Sequence, residues 1–153
     1  ADLLKGRKIG ATTYKVHLDG YDLGPALRGQ AEWPRKEFIY WTDDGSVAAL
    51  RYEDLKVTFL EQTALGLKVW QEPFTELRAP KLTNLRMDPF ERAEEENAMG
   101  YQRWYMERMF AIAPAGAYVG QWLQSFREFP PRQKPGSFNL DRVMEAVMSS
   151  SKQ

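Results

Sequence analysis

Two different periods run through the chain. In the first half, short apolar runs rich in β-branched and aromatic residues are separated by Gly, Asp and Pro. Residues 13–18 (Thr-Tyr-Lys-Val-His-Leu) alternate enough to predict a short strand stopped by Asp19-Gly20. Asp22 is placed to cap a short helix over residues 23–27, which Gly29 ends. The clearest hairpin pairs Phe38-Ile39-Tyr40-Trp41 with Val47-Ala48-Ala49-Leu50-Arg51-Tyr52 across the turn Asp43-Asp44-Gly45. Residues 55–60 and 67–70 predict two more strands joined through residues 63–66. A further short strand or turn surrounds residues 82–85, before Asp88-Pro89.

The second half changes to a helical period. Ala98, Met99, Tyr105, Met106, Met109, Phe110 and Ile112 predict one wide apolar face on a helix over residues 98–112. Pro114 suits the first turn of a second helix, in which Tyr118, Val119, Trp122, Leu123 and Phe126 form a stripe against Gln121, Gln124, Arg127 and Glu128. The Pro-rich residues 130–137 predict an extended connection. Asn139 then caps a last helix that turns Leu140, Val143, Met144, Val147 and Met148 inward. Strands first and helices after predict an α+β fold: a small antiparallel sheet of about four strands with amphipathic C-terminal helices against it.

A sheet with one solvated face alternates apolar and polar residues. Phe38-Ile39-Tyr40-Trp41 is apolar on both faces, and Val69-Trp70 repeats this locally. The helices can cover one face only, and Trp104 falls off its helix's apolar face, between Arg108 and Glu107 in projection. These positions mark a surface that expects a partner. The bland alternative is ordinary amphipathic aromatics with wet tips.

Composition then limits the chemistry. At 153 residues, 43% hydrophobic and 27% charged, the chain can bury the core of one domain without disulfides or metals. Lys and Arg total 21 and so do Asp and Glu, so no field of one sign exists to hold nucleic acid or an acidic membrane. No signal-peptide pattern and no apolar run of transmembrane length occurs. The compartment stays open. With no Cys there is no disulfide, thiolate zinc site or Cys nucleophile in these residues. The chain has 5 Trp, 7 Tyr and 8 Phe beside a single His, which equips it for contact more than for acid–base work.

Each chemical candidate has a structural reading of its own. Gly6…Gly10 and Gly20…Gly24 lack the Lys-Ser/Thr ending of a phosphate loop. His17 is the one possible partner for a Ser nucleophile, yet it sits mid-strand. Asp43-Asp44 belongs to a hairpin turn, and Asp19 and Asp22 to a turn and a helix cap. Glu94-Glu95-Glu96 reads as an acidic first turn complementing a helix dipole, and Arg132 with Lys134 is too little for a nucleic-acid footprint. No catalytic or metal residue is therefore assigned.

One run of motifs carries a resemblance. Leu18-Asp19-Gly20-Tyr21-Asp22-Leu23-Gly24-Pro25-Ala26-Leu27-Arg28-Gly29 resembles the stretch that follows the last catalytic-domain helix in the sulfatase family. The likeness continues through Arg35-Lys36-Glu37-Phe38-Ile39-Tyr40-Trp41, Leu50-Arg51-Tyr52-Glu53-Asp54-Leu55-Lys56-Val57 and Leu82-Thr83-Asn84-Leu85-Arg86-Met87-Asp88-Pro89-Phe90-Glu91-Arg92. Phe129-Pro130-Pro131-Arg132-Gln133-Lys134-Pro135 and Ser137-Phe138-Asn139-Leu140 are similar to the tail of bacterial arylsulfatase-like members. In order, these pieces span about nine-tenths of the chain and match only the C-terminal part of such an enzyme.

The resemblance implies a parent enzyme that hydrolyses sulfate esters with a formylglycine nucleophile, made from Cys or Ser in C/S-x-P-x-R, beside a calcium ion. None of Ser46, Ser125, Ser137, Ser149, Ser150 or Ser151 is followed by x-Pro-x-Arg. No catalytic residue is carried over. Residues 1–30 are then expected to lead from the catalytic domain, and residues 31–153 to form the C-terminal subdomain. Its expected partner is the N-terminal catalytic domain of the same polypeptide, and without that domain its exposed aromatic surface is expected to self-associate. The rival expectation is a free-standing binding or assembly module that uses an aromatic sheet face.

Overall fold

A computed structural model describes residues 3–131. The fold is α+β, as the order of periods predicts. A small hairpin of β1 (Arg7–Ile9) and β2 (Thr12–Tyr14) turns at Gly10, whose φ of 63° suits a residue without a Cβ. The main sheet has the order β3 (Glu37–Trp41), β4 (Val47–Tyr52), β5 (Leu55–Glu61) and β6 (Thr75–Asn84), all antiparallel. Between the hairpin and the sheet lies the one-turn helix α1 (Gly24–Leu27). After the sheet come α2 (Ala93–Glu96), α3 (Ala98–Arg108), α4 (Ile112–Leu123) and α5 (Ser125–Glu128).

Register explains the core. Ile39, Leu50, Val57 and Leu82 are successive cross-strand partners, so one row of four apolar side chains crosses the whole sheet on one face. All four are buried, with Leu82 0% exposed. Ala115 and Val119 of α4 close over that row, with Trp104 and Tyr105 of α3 and Ile112, Tyr118, Trp122 and Leu123 of α4 packed around it. Two phenols pin α3 to the last strand: Tyr101 donates to the Leu82 carbonyl and Tyr105 to that of Pro80, each at 3.0 Å.

Several expectations change in detail. The first strand stops at Tyr14 rather than Leu18, because its partner β1 is only three residues long. Asp22 sits one residue ahead of the helix boundary, and its Oδ1 accepts from the Gly24 N–H at 2.9 Å. Residues 67–70 are not a strand. Gly66 (φ 61°) turns the chain into a 3-10 segment, Gly66–Trp70, which leaves Leu67 and Trp70 exposed and unpaired with the sheet. The last strand begins at Thr75, well before Leu82. On α3 the wide face is narrower than its pattern suggests. Tyr101, Trp104 and Tyr105 turn to the sheet, while Met99, Met106, Met109 and Phe110 face outward. Trp104 packs on the core because Arg108 lies over its ring at 5.2 Å, its stem covering the flank that read as polar. The stripe holds on α4 from Tyr118 to Leu123, with Pro114 in the first turn, but α4 ends at Leu123 and Phe126 falls on the separate helix α5. The extended connection beyond Pro131 and the helix expected after Asn139 lie outside the described residues.

Candidate functional site

The chemistry-bearing side chains gather in two places, both consequences of the sheet register. The first is the outer edge of β3. The segment before α1 runs alongside this edge and places Tyr21 against Glu37, whose Oε1 accepts the phenol proton. The Lys36 N–H donates to the other carboxylate oxygen at 3.1 Å. Arg35 bonds the Glu37 carbonyl through Nε at 3.1 Å, and its guanidinium lies 5.8 Å from the Tyr21 ring and 5.3 Å from the Phe38 ring. The hydrogen bond to Glu37, with burial second, pushes the Tyr21 phenol up to about 12. Burial by itself would raise Glu37, but the bonds from Tyr21 and from backbone N–H, with Arg35 nearby, outweigh it and hold the carboxyl below its ordinary value. Burial, followed by the Glu37 charge, raises Tyr118, which lies on the α4 side of the same network. His17, Asp19, Trp41 and Trp122 join Tyr21, Arg35 and Glu37 around a cleft of about 450 Å³.

The second place is the sheet face that the helices do not cover. Alternate rows project there: Phe38, Arg51, Lys56 and Thr83 in one, Tyr40, Ala49, Thr58 and Lys81 in the next. The chain after β6 folds back over the far end of this face. Both carboxylate oxygens of Glu91 take Lys56 Nζ, at 2.7 and 2.8 Å, and Lys56 also stands 5.0 Å from the Tyr40 ring. Lys81 bridges Glu61 at 2.6 Å and Glu94. Burial would lower its pKa, but the two carboxylates outweigh burial and raise it. Glu91 takes a left-handed φ of 57°, and its backbone N–H is held by the Asp88 carbonyl at 3.2 Å. Lys56 and Lys81 are both held by carboxylates, three of them in all, so this end is a closed ion-pair network with no unpaired ammonium and an excess of one negative charge.

At the near end a groove of about 610 Å³ is lined by Trp33, Arg35, Lys36, Phe38 and Arg51 together with Glu32, Glu37 and Glu53. Arg51 donates from Nε to the Glu53 carbonyl at 2.8 Å, and Lys36 stands 3.4 Å from the Glu53 carboxylate. Trp33 is 59% and Phe38 45% exposed. The aromatic surface foreseen on Phe38-Ile39-Tyr40-Trp41 thus divides: Trp41 stacks on Trp122 and Phe126 of the helical layer, and Phe38 and Tyr40 pair edge-on across the open face.

The residues weighed from sequence fall apart in space. His17 Nδ1 lies 3.3 Å from Asp19 Oδ1, with the Phe129 ring tilted beside it at 5.8 Å, and among the described residues no Ser hydrogen-bonds to it. Asp43 and Asp44 occupy the β3–β4 turn, where Gly45 takes φ 78°. Glu94, Glu95 and Glu96 form the first turn of α2, as expected. Among the described residues no three His, Asp or Glu side chains converge as metal ligands. The donor set here therefore does not fit the calcium that the resemblance implies, and the missing Cys and C/S-x-P-x-R motif leave no place for formylglycine. What sequence reasoning missed is the Tyr21–Glu37–Arg35 cluster and the place of Arg51 across from Phe38.

No protein-family model matches the chain, and no curated protein matches it either.

Proposed function

We propose that this chain is the C-terminal α+β subdomain of an arylsulfatase-like sulfatase, packing on a catalytic domain of the same polypeptide and contributing to the rim of its cleft. The observation that carries the reading is the ordered run of motifs from Leu18 to Arg92. Its apolar surface supports it. Among the described residues seven hydrophobic side chains are buried, while Leu27, Trp33, Leu65, Leu67, Trp70 and Phe90 stand in solvent at 59–85% exposure. A neighbouring domain seated on these side chains would take them out of water. In this role Asp22, Pro25 and Asn84 are scaffold devices: Asn84 Oδ1 accepts the N–H groups of Arg86 and Met87, both at 3.1 Å, and turns the chain from the sheet toward the helices.

The test has two parts. The coding sequence upstream of Ala1 is expected to encode a C/S-x-P-x-R motif and an Asp-rich metal site; a stop codon or an unrelated domain there overturns the proposal. The chain by itself is expected to show no turnover of an aryl sulfate, with or without calcium. Hydrolysis that survives repurification would mean that a site lies within these 153 residues. The second reading, a free-standing binding module, is favoured by one specific feature, the groove around Trp33, Phe38, Arg35 and Arg51.

A further inference from the structure

We propose that residues 17–21 form a strap that closes on the free edge of β3 as a fifth antiparallel strand and fills the cleft between them. This inference does not depend on the sulfatase reading. Backbone groups on both walls of that cleft are idle. The Lys36 carbonyl takes the Glu53 N–H at 2.7 Å, so by alternation Lys36, Phe38 and Tyr40 turn their backbone groups toward β4, and Glu37 and Ile39 turn theirs outward. Arg35 takes the Glu37 carbonyl. The N–H and carbonyl of Ile39 have no partner among the described residues, although Ile39 is buried. Facing them across about 450 Å³, residues 17–21 carry no regular structure, and their own N–H and carbonyl groups make no main-chain bond among the described residues.

Contacts at the two ends fix the direction. Tyr21 bonds Glu37 at the start of β3. His17 lies beside Phe129, three residues beyond the Phe126 that packs on Trp41 at the end of β3. The segment therefore runs antiparallel to the strand. With Tyr21 opposite Glu37, Asp19 falls opposite Ile39, and Leu18 opposite Tyr40. In that register the N–H and carbonyl of Asp19 meet those of Ile39. Gly20 faces Phe38 and leaves room for its ring. Leu18, 64% exposed with the strap open, comes to cover Tyr40. The flanks of the strap are already tethered, by Lys15 to Glu128 at 2.7 Å and by Asp22 to the Gly24 N–H. Arg35 holds it off, because its Nε occupies the Glu37 carbonyl that the Tyr21 N–H would take. Closure withholds this edge from a strand of any other molecule.

The chain has no Cys, so an introduced pair reports closure without competing thiols. In the full chain, Leu18→Cys with Tyr40→Cys is expected to form an intrachain disulfide in oxidised glutathione. It should form about tenfold or more faster than with Asp19→Cys and Tyr40→Cys, which the register puts on opposite faces. Far-ultraviolet circular dichroism checks that both double variants fold. A second measurement needs no Cys. In the parent, native-state hydrogen exchange is expected to show the Ile39 and Asp19 amides protected together, about tenfold or more over unstructured rates. Asp19→Pro, at an exposed position, removes one donor of the pair and is expected to release Ile39 while Leu50 stays protected. The proposal is overturned by equal oxidation rates of the two Cys pairs, by a disulfide that forms only between chains, or by Ile39 exchange that Asp19→Pro leaves unchanged.

Discussion

The two faces of the sheet are built from alternate residues of the same strands, yet they are held by different physics. On the covered face, Ile39, Leu50, Val57 and Leu82 exclude water beneath α3 and α4. On the other, one residue along each strand, Tyr40, Thr58 and Lys81 stand half-buried around the small, buried Ala49, and the contacts are ion pairs and cation–ring contacts. Burial of apolar area is roughly additive and insensitive to salt, whereas half-exposed charge pairs contribute little and are screened. The covered face therefore accounts for the fold. The open face is free to carry function.

Adjacent residues of β6 separate the two most directly. Leu82→Ala removes the most deeply buried side chain, at the β6 end of the buried row, and is expected to cost about 3–4 kcal/mol, read as a lowered denaturant midpoint. A loss under about 1 kcal/mol would mean that the helices do not close over this row in solution. Lys81→Met, next in the strand and on the opposite face, is expected to cost about 1 kcal/mol or less, with the difference shrinking at high salt. A salt-independent loss as large as that of Leu82→Ala would erase the contrast between the faces.

Tyr21 tests the rim of the covered face and carries the smallest effect. Its phenol is raised above its ordinary value to about 12, so the stabilisation is fully present below pH 10 and is lost as pH rises through about 12. Tyr21→Phe has no proton to lose. Its deficit relative to the parent, below about 1 kcal/mol for so exposed a pair, is expected to narrow between pH 10 and 12 in paired denaturation curves. A deficit that does not change over that interval would remove Glu37 as the phenol's partner.

Local signals in the sequence were enough for some elements. Asp43-Asp44-Gly45 between two apolar runs specifies the β3–β4 hairpin, and the stripe from Tyr118 to Leu123 specifies the buried side of α4. Other features depend on partners far along the chain. Residues 75–81 carry Glu76, Arg78 and Pro80 and do not read as a strand. They pair because β5 offers a free edge, with a register shift between Thr58 and Leu60 near Pro80. Leu67 and Val69 alternate like a strand but find no strand to pair with among the described residues. The Tyr21–Glu37 contact spans 16 residues, and the Phe38–Arg51 pairing depends on hairpin register; neither is a motif that spacing could announce.

The place of Pro80 has a consequence for how this chain behaves at high concentration. β6 is ten residues long and lies at the end of the sheet, a template on which a strand from another molecule could be added. Pro80 offers no N–H to such a newcomer, and its carbonyl is already taken by Tyr105. The neighbouring Lys81 keeps a charge beside the same stretch. Main-chain zippering is interrupted there, so crowding should bring copies together through side chains, in contacts that dilution reverses, rather than through the backbone growth that ends in fibrils.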